Sequence, residues 1–168
     1  IEKSWTEKLE VTDFEQTLSN SNFNLSLRSF NVSPGNYVVR SSLEDKDSRE
    51  EFIVENIFVV RNFSISLDMS DVMIISRRDS ADGNSKILPN VSKNVTIQRD
   101  GLPVFFEIYS RRQQKINLEY SILDQDKKVL FTHAESQEVD SGKFLMFYTY
   151  KDIKLNLGTY LLSINLQN

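Results

Sequence analysis

The sequence predicts an all-β protein, an antiparallel sandwich or barrel. Three observations carry that expectation: apolar residues alternate with polar ones at period two, short β-branched or aromatic runs recur between turn residues, and no long helical pattern interrupts them. The one helical candidate is "DFEQTLS", a single turn that Asp13 would cap. In "NFNLSLRSF", Phe23, Leu25 and Leu27 fall on one face of a half-buried strand. "SPGN" follows, where Pro34 presets the second position of a tight turn and Gly35 suits the positive φ of a type II turn, so the chain is expected to reverse there. "NYVVRSSL" then starts a strand, "EDKDSREE" ends it in solvent, and "FIVENIFVV" returns as the second arm of a hairpin with a hydrophilic tip. "DVMIIS", "KNVTIQ" through Val95 and Ile97, "PVFFEIY", "KINLEYSIL", "KVLFTH", "KFLMFYTY" and "TYLLSINL" supply further strands.

One stretch is used twice. "VSPGNYVVRSSL" (32–43) aligns without gaps to "LNLGTYLLSINL" (155–166), which places Gly35 on Gly158, Tyr37 on Tyr160 and Leu43 on Leu166. The same offset carries Phe23, Leu25, Leu27 and Phe30 onto Met146, Tyr148, Tyr150 and Ile153. Two copies of one sandwich module follow, with residues 1–62 the later strands of the first and 63–168 the second. The first copy starts at its middle and the second stops where a partner like "FIVENIFVV" is due. Missing edge strands leave unpaired backbone, so a fragment of a longer exported protein is expected.

The succession "KSWTEKLEVTDFEQT", "VSPGNYVVRSSLEDKDSRE", "LDMSDVMIISRR", "ILPNVSKNV" and "GLPVFFEIYS" resembles the β-sandwich region that precedes the C-terminal domain in bacterial GWxTD-domain proteins. That resemblance implies tandem immunoglobulin-like or fibronectin-III-like sandwiches, a periplasmic or cell-surface location and no established activity. Gly-Trp-x-Thr-Asp itself is absent, since the single tryptophan, Trp5, stands in "KSWTE".

Composition narrows the function classes. Twenty basic and 24 acidic residues spread along the chain give a net charge of −4 and no footprint for nucleic acid or an anionic membrane. No apolar run approaches the roughly 20 residues of a membrane helix. Without cysteine, disulfides and thiolate metal sites are excluded. The lone histidine, His133, lies in a strand with no nucleophile elbow nearby, so an enzyme is not expected. Zinc would need several His or Cys ligands. Asp79, Asp82 and Asn84 around Gly83 offer oxygen ligands for calcium, but their spacing departs from the EF-hand and a solvated turn is expected. Glu107, Glu119, Asp124 and Asp126 have no spacing that makes carboxylates converge for glycoside hydrolysis. No cofactor is expected.

"KFLMFYTY" is the one stretch with a binding character. Alternation places Phe144, Met146, Tyr148 and Tyr150 on one face and Leu145 and Phe147 on the other, so both faces carry large apolar groups. Phe147, Tyr148 and Tyr150 are therefore the candidate surface residues. The leading expectation is a non-catalytic interaction or spacer module that meets a neighbouring module or a protein partner; the alternative is a carbohydrate-binding sandwich that stacks sugars on these aromatics.

Overall fold

The computed structural model describes residues 1–7, 15, 26, 28–63, 65–81, 84–91, 95, 97 and 101–168, with the backbone alone at 77–81 and 84–86. All ten of its elements are strands, and every pairing between them is antiparallel. The helical turn expected at 13–19 and the strand expected at 22–30 lie outside the described residues, apart from Glu15, Ser26 and 28–30, of which Ser26 and 28–30 are not in a strand. Val95 and Ile97 belong to no strand, and their neighbours in "KNVTIQ" are outside the described set. The chain divides into two compact units, Ile1–Arg61 and Asn62–Asn168.

The first unit is built on the hairpin of β1 (Gly35–Glu44) and β2 (Glu51–Val60), paired without interruption from Gly35↔Val60 to Glu44↔Glu51. Its tip is polar for a local reason. The Asp45 carboxylate accepts the amides of Asp47 at 2.8 Å and Ser48 at 3.3 Å, while Arg49, at φ 63°, completes the reversal through its own amide to the Asp45 carbonyl. Those two amides also hold the Asp45 carboxyl below its ordinary range. The expected reversal at "SPGN" is corrected. Pro34 sits at a bend, but Gly35, at φ 158°, is far from the roughly +80° of the third position of a type II turn and already stands in the ladder opposite Val60. Elsewhere in this unit the Arg28 guanidinium lies 4.5 Å from the Trp5 ring and 2.9 Å from the Glu7 carboxylate, tying 1–7 to 26–30.

The second unit is a two-layer sandwich. In one sheet β6 (Leu102–Ser110) pairs along its full length with β9 (Gly142–Tyr150). Its other edge is shared in succession by β3 (Leu67–Met69) and β4 (Met73–Ala81), and β5 (Asn84–Pro89) pairs β4. Ser70 bridges the break between β3 and β4: its amide donates to the Glu107 carbonyl, and its hydroxyl accepts the Glu107 amide, each at 2.8 Å. A side chain thus continues the ladder where the strand is interrupted. The second sheet has the order β10 (Leu161–Gln167), β7 (Gln114–Leu123), β8 (Val129–Val139).

The core lies between these sheets because alternation drives one face of each strand inward. Leu102, Val104, Phe106 and Ile108 of β6 meet Ile116, Leu118, Tyr120 and Ile122 of β7, with Val139 and Tyr150 closing the cluster. Full burial of each such side chain is worth about 1.5–3 kcal/mol. Gly101 makes the entry to β6 possible. At φ 101°, its position would put a Cβ 2.3 Å from the Tyr150 carbonyl oxygen, so only a hydrogen fits.

Candidate functional site

On β9 the expected alternation is present: Phe144, Met146 and Tyr148 pack against the core and Tyr150 is part of it, while Leu145 and Phe147 take the opposite face. Tyr150, proposed from sequence as a surface residue, has no exposed area, and its hydroxyl is buried without a hydrogen-bond partner. Tyr148 is partly buried and stacked on Tyr120 at 3.7 Å between ring centroids, with the His133 ring 5.5 Å away and nearly parallel. These two tyrosines serve internal packing, since a ring already covered by another ring has lost a stacking face. Sequence periodicity gave their side of the strand, but the cross-sheet neighbours Tyr120 and Phe131 that cover them come from distant segments.

The phenols in this cluster are held neutral. Burial, followed by the hydrogen bond that the Tyr120 hydroxyl donates to Glu135 at 2.7 Å, pushes the Tyr120 pKa far up. Burial does the same to Tyr150, and burial with the nearby Glu135 charge raises Tyr148. None of these groups is poised to exchange a proton near neutrality.

Phe147 has a different setting. It pairs across the strands with Phe105, ring centroids 5.1 Å apart, on the outer face of the β6 sheet, where Leu145 is 55% exposed and Met73 lies opposite Phe105 on the other side. Further along that face Tyr109 donates to Glu107, which also accepts from Lys143 at 3.0 Å, and Phe63 stacks on Tyr109 at 4.3 Å. Burial and then the Glu107 contact push Tyr109 up to about 12. Burial opposes ionisation of Glu107, yet its bonds from Tyr109 and Lys143 prevail and its pKa falls. A shallow groove beside Tyr109 is lined by Phe63, Ile65, Arg111, Ser141 and Gly142. No sequence motif marks it, because its walls come from three separate segments.

The repeated stretch shows what its two copies share. Tyr37 donates its hydroxyl to the Ser33 carbonyl at 2.7 Å, and Tyr160 donates to the Asn156 carbonyl at 2.9 Å, four residues back in both cases. Each ring lies over the glycine two residues before it, at 3.6–3.8 Å from a Cβ position on Gly35 and 3.5–3.6 Å from one on Gly158. Both distances are ordinary contact; Gly35 has φ 158°, which residues with a side chain rarely adopt, and Gly158 has no such φ. The recurring device is a tyrosine that ties its hydroxyl to the preceding corner; the two glycines do not share a conformation.

Several surfaces are open among the described residues, and two concern the repeated stretch. On the hairpin, one face carries Tyr37, Val39, Leu43, Phe52, Val54 and Phe58 and the other Val38, Ile53, Ile57 and Val59; Phe52 is 59% and Ile57 80% exposed. On the sandwich, β10 pairs β7 alone and presents its other edge.

The acidic side chains and the histidine singled out in the sequence are not brought together among the described residues. His133 is exposed on β8 beside Tyr120 and Tyr148. Glu107 and Glu119 belong to different sheets, and the Asp124 carboxylate is occupied by the amides of Asp126 and Lys128 in a turn. Among the described residues no three His, Cys, Asp or Glu side chains come together as metal ligands. The Asp79, Asp82 and Asn84 side chains fall outside the described set. No described helix is long and apolar enough to cross a membrane. A scan against protein-family models finds no match, and a search of curated proteins finds no relative.

Proposed function

We propose that the chain is a pair of immunoglobulin-like units acting as a non-catalytic interaction or spacer module, in a bacterial exported protein as the sequence resemblance implies. The observation that carries this reading is the tyrosine corner used twice, Tyr37 to Ser33 and Tyr160 to Asn156, at an offset of 123 residues. Such a corner marks the entry to a late strand of Greek-key sandwiches. In the second unit the strand after the corner is β10, flanked by β7, and the pairing of β6 with both the first strands and β9 matches that plan. In the first unit the strand after the corner is β1, followed at once by β2. Apolar side chains left exposed on that hairpin suit a surface that meets another protein or module.

The carbohydrate reading is weaker because Tyr150 is buried and Tyr148 is covered by Tyr120, which leaves Phe147 as the one of the three candidate rings on the outer face. A glycan array together with a panel of hydrolase substrates tests the choice. No saturable sugar binding and no turnover is the expected result. Saturable binding lost in Phe147→Ala, or turnover lost on changing a single carboxylate, overturns the proposal.

A further inference from the structure

We propose that residues 3–7 are a strap held on 26–30 by ionic and aromatic side-chain contacts, and that the Glu7 carboxylate is its latch: acid or salt opens the strap while the sheets stay folded. The strap stands whether or not the two units are immunoglobulin-like.

The contacts give a register. The Lys3 ammonium donates to the Ser29 carbonyl at 2.9 Å and lies 4.8 Å from the Phe30 ring. The Arg28 guanidinium lies 4.5 Å from the Trp5 ring, and Ser26 and Arg28 both donate to Glu7, at 2.7 and 2.9 Å. Passing forward through 3, 5 and 7 on one segment therefore passes backward through 30, 28 and 26 on the other. Alternate side chains of an extended segment share a face, so the two segments lie antiparallel with one matched face each. Residues 1–7, 26 and 28–30 nevertheless belong to no strand. Each of these contacts uses a side chain, whereas β1 and β2 are joined by a main-chain ladder.

Exposed ion pairs and cation–π contacts are individually weak, and salt screens them. Closure depends on their acting together. Arg28 is the central member, because its guanidinium serves Trp5 and Glu7 at once. Glu7 is the member whose charge acid removes. The bond from Ser26, set against desolvation and joined by Arg28, holds its carboxyl below the ordinary glutamate range. Ser26 and Arg28 face it from the other segment, and Glu2 and Lys3 are the remaining charged side chains of its own. A carboxyl lowered in this way keeps the strap shut above the ordinary range, and that hold is lost as pH falls through the range and below. Opening uncovers the faces of Trp5 and Phe30 that Arg28 and Lys3 now cover, so two capped rings become free for contact.

Trp5 is the single tryptophan, so acrylamide quenching of its fluorescence reads the strap in the full, unaltered chain. Trp5 is 49% exposed, and opening should raise its quenching constant about twofold, in proportion to the surface gained. That rise is expected below the ordinary carboxylate range, and also at neutral pH in about 1 M salt, where the Debye length is about 3 Å. The far-ultraviolet dichroism of the sheets should not change in either case. Glu7→Gln should be quenched more than the unaltered chain at neutral pH and should lose the acid step, while Glu2→Gln should keep it. Because the chain has no cysteine, Lys3→Cys with Phe30→Cys should close a disulfide in preference to Lys3→Cys with Ser26→Cys. Quenching indifferent to pH and salt, an acid step that persists in Glu7→Gln or vanishes in Glu2→Gln, sheet dichroism lost together with the rise, or the reverse disulfide preference overturns the proposal.

Discussion

Phe52 and Phe58 of the hairpin remain more than half exposed, whereas Phe106 of the sandwich is fully buried, although all three lie in alternating strands of nearly equal length. Alternation decides which side chains share a face; whether that face leaves water depends on a second layer. In the unit Asn62–Asn168 the β7 sheet covers β6, and in the unit Ile1–Arg61 two strands are paired and none of the described residues belongs to a buried core cluster. An isolated two-stranded hairpin is marginal in water. The comparison therefore sets a two-sheet core against a hairpin whose described apolar side chains are exposed.

The sharpest way to break this contrast is a pair of truncations. Phe106→Ala should cost about 3–5 kcal/mol in denaturant unfolding monitored on the whole chain, and Phe58→Ala less than about 0.5 kcal/mol. Equal costs would mean that the hairpin is covered as fully as the core. Next in size are two glycines. Gly101→Ala should lose about 3 kcal/mol through its left-handed φ and the clash with the Tyr150 carbonyl; Gly35→Ala, where φ 158° is rare for a residue with a side chain but a methyl group has room, should lose less, about 1 kcal/mol.

The two corners give a smaller, more discriminating difference. Tyr160→Phe should cost about 1 kcal/mol for the lost bond to Asn156, while Tyr37→Phe should not shift global unfolding and should speed amide exchange in β1. A global loss from Tyr37→Phe would show that the hairpin folds with the core. The smallest effect is electrostatic. Glu107 has a lowered pKa in the folded chain, so its contribution is present above the ordinary carboxylate range and is lost as pH falls through that range and below. Glu107→Gln should remove about 0.5–1 kcal/mol at neutral pH and flatten the acid side of the stability profile. Glu44→Gln, at an exposed pair with Arg49 on the hairpin, should leave the denaturant midpoint at neutral pH as it was.

Much of the architecture was legible from residue order. Of the strands expected from "NYVVRSSL" to "TYLLSINL", all but "KNVTIQ" lie where alternation and turn residues put them, β3 and β5 were not anticipated, and the hairpin tip is made by the Asp45 segment that its charge suggested. Gly35 was misread because proline-glycine is equally compatible with a bend leading into an extended strand; the ladder with β2 fixes its backbone, and that pairing is a tertiary fact. The aromatic site was half legible. Period two put Phe147 opposite Tyr148 and Tyr150, but which face would be covered depended on Tyr120, some thirty residues away in sequence, and no local pattern encodes that meeting.

Trp5 lies in the first unit against Arg28, while Tyr109, Tyr120, Tyr148, Tyr150 and Tyr160 all belong to the second. The chain consequently carries separable optical signals: red-edge fluorescence excitation follows Trp5 and the amino-terminal portion alone, while near-ultraviolet circular dichroism sums Trp5 and Tyr37 with the five tyrosines of the other portion, which is then read by difference. Melting or ligand-induced ordering of either half can be watched in the unmodified polypeptide without introducing a dye.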